Sequence, residues 1–210
     1  MEVTITKLVH ACLLVEVDGS RLLLDPGVFT WNDDRLDLAH LEGIDRILIT
    51  HEHADHVAVD LVAAVLERSP GAVVETTGAL AGVLAEAGIP AVTEGTPRFA
   101  APHERVPMGP GPDNTGFHVA EALSHPGDSH GFVETMPILA MPFVAPWGSV
   151  TAAVDRVRLV RPRYVVPIHD WPLSGPGREM TYTIAGMGLA VDADIELVQI
   201  PDFGSVTLSV

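Results

Sequence analysis

Thr50-His51-Glu52-His53-Ala54-Asp55-His56 follows directly on the apolar run Ile47-Leu48-Ile49, so three imidazoles and the Asp55 carboxylate crowd the end of an expected buried strand. Imidazole is the commonest metal ligand, and on extended backbone His51 and His53, two residues apart, turn to one side. Asp55 and His56 come next and can face a second ion. Polar groups packed this densely at the mouth of a buried strand lose hydration without gaining apolar burial, unless a cation takes up their lone pairs. The stretch therefore points to a metal site built on the loop after a strand.

Upstream of it, Val3-Thr4-Ile5-Thr6, Cys12 to Val17 and Arg21 to Leu24 alternate like a meander, with Asp18-Gly19 as the hairpin turn and Asp25-Pro26-Gly27 as the loop before the strand at Ile47. Downstream the period changes. Val57, Leu61 and Val65, with Val62 and Leu66, form one helical face that Pro70-Gly71 terminates. A strand at Ala72 to Glu75, a helix from Leu80 to Ala87 and a strand at Ala91 to Thr93 complete the first half. The second half repeats the order: strands at Phe117 to Ala120, Ala122 to Ser124 and Ile138 to Ala140, a helix over Val150 to Val160, a strand at Tyr164 to Ile168, a helix from Arg178 to Ala190, and strands at Ile195 to Ile200 and Val206 to Leu208. Two such halves predict an α+β fold with two sheets face to face and helices outside. The connections Gly95 to Gly116 and His125 to Met136, long and rich in Pro and Gly, are expected to rim a cleft.

With 210 residues, 47% of them hydrophobic and 19% charged, the chain has enough apolar material for one large core, and residues 1–210 are expected to form a single domain. The formal charge of −16, from 28 acidic against 12 basic residues, repels phosphate backbones and anionic bilayers, so neither nucleic acid nor a membrane is expected as partner. The opening Met1-Glu2-Val3-Thr4-Ile5-Thr6-Lys7 does not read as a secretory signal, which makes a cytoplasmic location the expectation. Cys12, the sole cysteine, reads as a small buried hydrophobe.

One cluster cannot close a two-metal site. Three further residues stand where short apolar runs end: His103 after Phe99-Ala100-Ala101-Pro102, Asp128 in Ser124-His125-Pro126-Gly127-Asp128-Ser129, and His169 after Val165-Val166-Pro167-Ile168. His118 is a rival to His103, but Phe117-His118-Val119 alternates like the middle of a strand, whereas His103 sits at a strand end.

In this order the residues resemble the signature of the metallo-β-lactamase superfamily, His-x-His-x-Asp-His followed by a His, an Asp and a final His. The neighbouring strings His10-Ala11-Cys12, Asp25-Pro26-Gly27, Ala145-Pro146-Trp147 and Pro167-Ile168-His169-Asp170 are most similar to the single-domain metal-dependent hydrolase branch that includes ascorbate-6-phosphate lactonase-like proteins. The resemblance covers nearly the whole chain and implies a four-layer αββα sandwich. It also implies that His51, His53 and His103 hold one ion, that Asp55, His56 and His169 hold the other, and that Asp128 bridges them. Such ligands suit two divalent ions, zinc first, with manganese or iron as the other candidates.

Two cations roughly 3.5 to 4 Å apart can share a water and lower its pKa toward about 7, so a hydroxide between them is the expected nucleophile for an ester, lactone or phosphodiester bond in a small molecule. Asp55 is expected to orient it or pass its proton on, and His125, with His130 as a second choice, to donate a hydrogen bond to substrate. Asp25 and Asp170 are candidates to accept the far N–H of a ligand histidine. His10 and His40 read as structural or exposed, and Trp31, Trp147 and Trp171 as candidates to line the mouth of the pocket. Three other classes compete. A nuclease is disfavoured by Lys7 being the sole lysine, and a redox iron protein by the absence of any attached redox segment. A non-catalytic metal-binding module is disfavoured by the filling of all seven ligand positions. A homo-oligomer would be ordinary.

Overall fold

A computed structural model of the protein describes residues 1–191 and 194–210. Strands β1 (Glu2–Lys7), β2 (Leu13–Val17) and β3 (Ser20–Leu24) form an antiparallel meander. Asp18 and Gly19 turn β2 into β3 with φ of 49° and 78°, the left-handed pair of a tight hairpin. Strands β4 (Arg46–Leu48), β5 (Val73–Glu75) and β6 (Ala91–Val92) then add in parallel. Helices α1 (Val28–Trp31), α2 (Val59–Arg68) and α3 (Gly78–Glu86) connect them.

The second sheet holds β7 (Arg98–Phe99), β8 (Gly116–Val119), β9 (Leu123–His125), β10 (Ile138–Pro142), β11 (Tyr164–Ile168) and β12 (Glu196–Leu197), with helices α4 (Val150–Val160) and α5 (Gly175–Leu189). The final strand, β13 (Gly204–Ser209), leaves this half and pairs antiparallel with β1 at the edge of the first sheet. Among the described residues the strand orders are β13-β1-β2-β3-β4-β5-β6 and β12-β11-β10-β9-β8-β7.

Strand alternation divides the apolar side chains among three layers. Leu13, Val15, Leu22, Leu24, Leu48, Phe117, Ile138, Ala140, Val166 and Ile168 meet between the sheets. Their neighbours Leu14, Leu23, Ile47 and Ile49 face outward onto Leu61, Val62 and Val65 of α2 and Leu80 and Leu84 of α3. Leu139, Met141 and Val165 face Ala153, Val154 and Val157 of α4 and Ala185 and Leu189 of α5. The result is the anticipated αββα sandwich, each sheet burying both faces.

The α4 and β11 boundaries match the sequence expectation. Helix α5 starts three residues earlier than expected, because Ser174 caps it by accepting from Gly177 N at 3.2 Å and Pro176 fits the first turn. Strand β12 covers only Glu196–Leu197 of the longer strand expected there. The segments α1 and β7, of four and two residues, carry too little periodicity to be read in advance. No helix among the described residues is long and apolar enough to cross a membrane.

Candidate metal centre

The C-terminal ends of β3, β4, β9 and β11 open on one edge of the sandwich, the crevice in which open sheets hold ligands. There the chain brings together two quartets, His51, His53, His103 and Asp128 beside His10, Asp55, His56 and His169, with the candidate ligand atoms of each within 4.8 Å of one another. All seven residues expected at the centre are present, and His10 is added. His118 stays away from it: its ring stacks on Phe99 and its Nδ1 lies 2.9 Å from Ser124 Oγ.

The first cluster is clamped by the Asp25-Pro26-Gly27 loop. Val28 N donates to Ala54 O and Ala58 N to Pro26 O, both at 2.8 Å. Gly27 touches the cluster backbone so closely that a Cβ there would lie 1.8 Å from Asp55 O. Gly27→Ala is therefore expected to push the His53–His56 turn out of place and lower metal content sharply; full metal occupancy in the purified variant would contradict this. Buried Asp25 accepts from Thr50 N and Thr50 Oγ1 at 2.8 Å and from His56 Nδ1 at 2.7 Å, as expected of a carboxylate that orients a ligand.

The hydrogen bonds fix which nitrogen each ring presents. His56 gives its Nδ1 proton to Asp25, and His169 gives its own to Val144 O at 2.7 Å. His103 directs Nδ1 to Glu104 O, and His51 Nδ1 lies 3.0 Å from Thr50 Oγ1, whose own proton goes to Asp25. All four rings thus have Nδ1 engaged by the surrounding scaffold and turn Nε2 into the same space.

The Nε2 atoms of His51, His56 and His169 and Oδ1 of Asp128 are buried without a hydrogen bond. Asp128 Oδ1 nevertheless lies 2.9 Å from His56 Nε2 and 3.2 Å from His169 Nε2, and its Oδ2 lies 3.5 Å from His103 Nε2 and 3.8 Å from His51 Nε2. Ligands of a tetrahedral ion with bonds of about 2.1 Å stand about 3.4 Å apart. The spacings are of the size that ligands around an ion would show, Asp128 lies near both quartets, and the donor set fits two divalent cations.

Charge supports the same arrangement. Burial lowers the pKa of His51, and it lowers His10 to about 4. His169 rises to about 9, because the Asp128 carboxylate, with Asp55 beside it, outweighs burial. His56 rises for the same reason, between Asp128 and Asp25. Burial would raise Asp55, but the His10 hydrogen bond and the His169 ring beside it hold it far below the usual carboxylate range. In the absence of cations the carboxylates are thus balanced by protons, which a cation must displace.

The expectations for four residues change. His125 is fully buried, with Nε2 against Ala11 O at 3.1 Å and Nδ1 accepting from Gly127 N at 3.2 Å, so neither nitrogen reaches a substrate. His130 likewise directs Nε2 to Pro142 O at 2.9 Å. Asp170 does not touch His169. It turns inward to Lys7 Nζ at 2.5 Å, to Tyr182 Oη and to Arg178 Nε. Trp147 donates from Nε1 to Asp128 Oδ2 at 3.1 Å, Trp171 stacks on Phe29, and Trp31 packs against the α2 layer instead of the mouth.

Asn114, which carried no signal in the sequence, ties the His103 loop to the Asp128 loop. Its Nδ2 donates to Ala101 O and Pro126 O, and its Oδ1 accepts from Asp128 N. A cleft of 580 Å³ beside His103 is lined by Arg105, Pro110, Gly111, Pro112 and Asp113, within the first of the two long connections expected to rim one.

A family model described as the beta-lactamase superfamily domain matches residues 4–169. The Mycobacterium tuberculosis protein Rv0786c is 33% identical over 198 residues, which cover 85% of this chain and 89% of that protein. A UPF0173 metal-dependent hydrolase of Pyrobaculum arsenaticum is 29% identical over 189 residues, covering 76% and 80%. Among solved structures, the metallo hydrolase Igni18 of Ignicoccus hospitalis superposes over 100% of both chains with a TM-score of 0.76 at 19% identity, a likeness of fold.

Proposed function

Because this chain belongs to the beta-lactamase superfamily, we propose that it is a metal-dependent hydrolase that opens an ester, lactone or phosphodiester bond of a small molecule. The observation that carries the reading is the convergence of the His51, His56, His103 and His169 Nε2 atoms on the two oxygens of Asp128. His51, His53 and His103 would hold one divalent cation, Asp55, His56 and His169 the other, and Asp128 both. When bound, such ions supply Lewis acidity toward a carbonyl or phosphoryl oxygen and lower the pKa of a coordinated water. Zinc suits the nitrogen and oxygen donors, and manganese and iron use the same ligand types.

The remaining tasks fall to the chain. Asp55, its side chain 25% exposed against 2% for Asp128, is the more accessible carboxylate of the centre and can take a proton from the attacking water or hand one to the leaving group. Trp147 holds Asp128 by its indole N–H, and its ring excludes water above His103 and His169. The size of the cleft beside His103 matches a small molecule, and Arg105 and Asp113 on its wall can fix a polar group. The acidic surface speaks against a nucleic-acid substrate. The whole chain would act as one catalytic unit in the cytoplasm.

Protein loaded with zinc or manganese is expected to bind two equivalents and to hydrolyse members of a panel of lactones, phosphodiesters and thioesters, with chelation abolishing turnover. Below pH 9 uptake of the second cation must displace the His169 proton, so affinity should rise with pH up to that value and protons should appear on titration with metal. Stoichiometric binding with no turnover of any panel member would favour a non-catalytic module.

A further inference from the structure

His10 sits in the second quartet, yet its hydrogen bonds run opposite to those of the ligand histidines. Trp171 N donates to His10 Nδ1 at 3.3 Å, so that nitrogen carries a lone pair. The neutral ring then has its proton on Nε2, which lies 3.2 Å from Asp55 Oδ2. His51, His56, His103 and His169 spend the Nδ1 proton on the scaffold and leave Nε2 for a cation, whereas His10 spends its Nδ1 lone pair on Trp171 N and keeps its proton on the inward Nε2. A ring held in this tautomer can donate to a carboxylate but has no inward lone pair for a cation.

The backbone of His10 is tied to the same place. Its carbonyl accepts from His169 N at 3.2 Å, its ring lies 3.9 Å from the His169 ring, and the edge of Phe29 closes the far side. Both His10 and His169 hold φ of 63°, a left-handed conformation that a non-glycine residue keeps only where surrounding contacts impose it. One residue thus joins the loop of the last ligand to the carboxylate of the first cluster.

Resting on the dinuclear reading above, we infer that His10 is a positioning residue for the second cation: its Nε2–H holds the Asp55 carboxylate, and its carbonyl holds the His169 loop, without itself being a ligand. Loss of such an outer hydrogen bond typically weakens metal binding roughly 10- to 100-fold. The first quartet shares no hydrogen bond with His10, so its affinity should be unaffected.

The test is titration of cation-free protein with zinc against a competing chelator, together with the visible spectrum of the cobalt(II)-loaded form, for the unaltered protein, His10→Ala and His10→Gln. His10→Ala is expected to keep the first binding step and weaken the second by roughly 10- to 100-fold. His10→Gln, which retains an N–H donor but has no ring nitrogen, should recover most of the second step with an unchanged cobalt spectrum. Two outcomes overturn the inference: unaltered second-step binding in His10→Ala, or a Gln variant as weak as Ala with an altered spectrum, which would make the ring a ligand. Failure of the unaltered protein to take up two equivalents would instead overturn the dinuclear reading.

Discussion

Asp128→Ala is expected to lose both cations and all hydrolysis in one step. Each oxygen of this carboxylate serves a different quartet: Oδ1 lies 2.9 Å and 3.2 Å from His56 and His169, and Oδ2 lies 3.5 Å and 3.8 Å from His103 and His51. On the dinuclear reading its removal would take a ligand from each ion and withdraw the negative charge that would offset two buried divalent cations. The effect should exceed the roughly 100-fold upper range for loss of an outer-shell partner. Metal analysis of the purified variant beside a turnover assay checks it, and Asp128→Asn separates charge from shape by keeping the volume and the Trp147 contact. Two equivalents of metal in Asp128→Ala, or undiminished turnover, would remove the bridging role.

The second large effect concerns stability. Lys7 is the only lysine of the chain and is fully buried, with Nζ 2.5 Å from Asp170 Oδ2 and 3.7 Å from Asp202 Oδ1. Removing one partner of a buried pair leaves an uncompensated charge, at a cost of about 3–5 kcal/mol. Tyr182 and Arg178 still touch Asp170, so the lower end applies. For a chain of this size Lys7→Met should lower Tm by roughly 6–12 °C, at about 2–4 °C per kcal/mol.

Asp170 follows His169 directly, so the loosened loop should also weaken the second cation. Adding Asp170→Asn should restore much of the lost stability by removing the orphaned charge. Thermal unfolding of the cation-free proteins measures both, and a Lys7→Met shift of a degree or less would mean that Arg178 alone balances Asp170.

Much of this molecule is local enough to be read along the chain. The period of two in Leu13 to Val17, Leu22 to Leu24 and Ile138 to Met141 assigns alternate residues to the inter-sheet core and the helix layers. The change to helical spacing after His56 marks α2, and the candidate ligands stand where apolar runs stop. The choice of His103 over His118 followed from the same rule, since a mid-strand side chain packs on its sheet whereas one beyond the end can lean over the edge.

The partners of those ligands were less legible. Asp25, in a turn ahead of the cluster, accepts from His56 as one of two carboxylates expected to do so. Asp170, equally close in sequence to a ligand, faces away, because Lys7 on β1 and Tyr182 on α5 meet it from inside. His125 looked as available as Asp128, three residues on, but it ends inside β9 with both nitrogens engaged. His10 and Asn114 act through atoms 45 or more, and from 12 to 14, residues away.

What the amino-acid order alone determined is therefore the candidate centre and its scaffold: the residue types, their spacing, and the strands and helices that carry them. These depend on neighbours within one or two turns of chain. Which atom each ring presents, which carboxylate faces in, and how β13 returns to the first sheet were decided only when distant loops met at one edge of the sandwich. Hydrogen-bond direction and tautomer belong to pairs of residues brought together by packing, and local periodicity carries no information about such pairs.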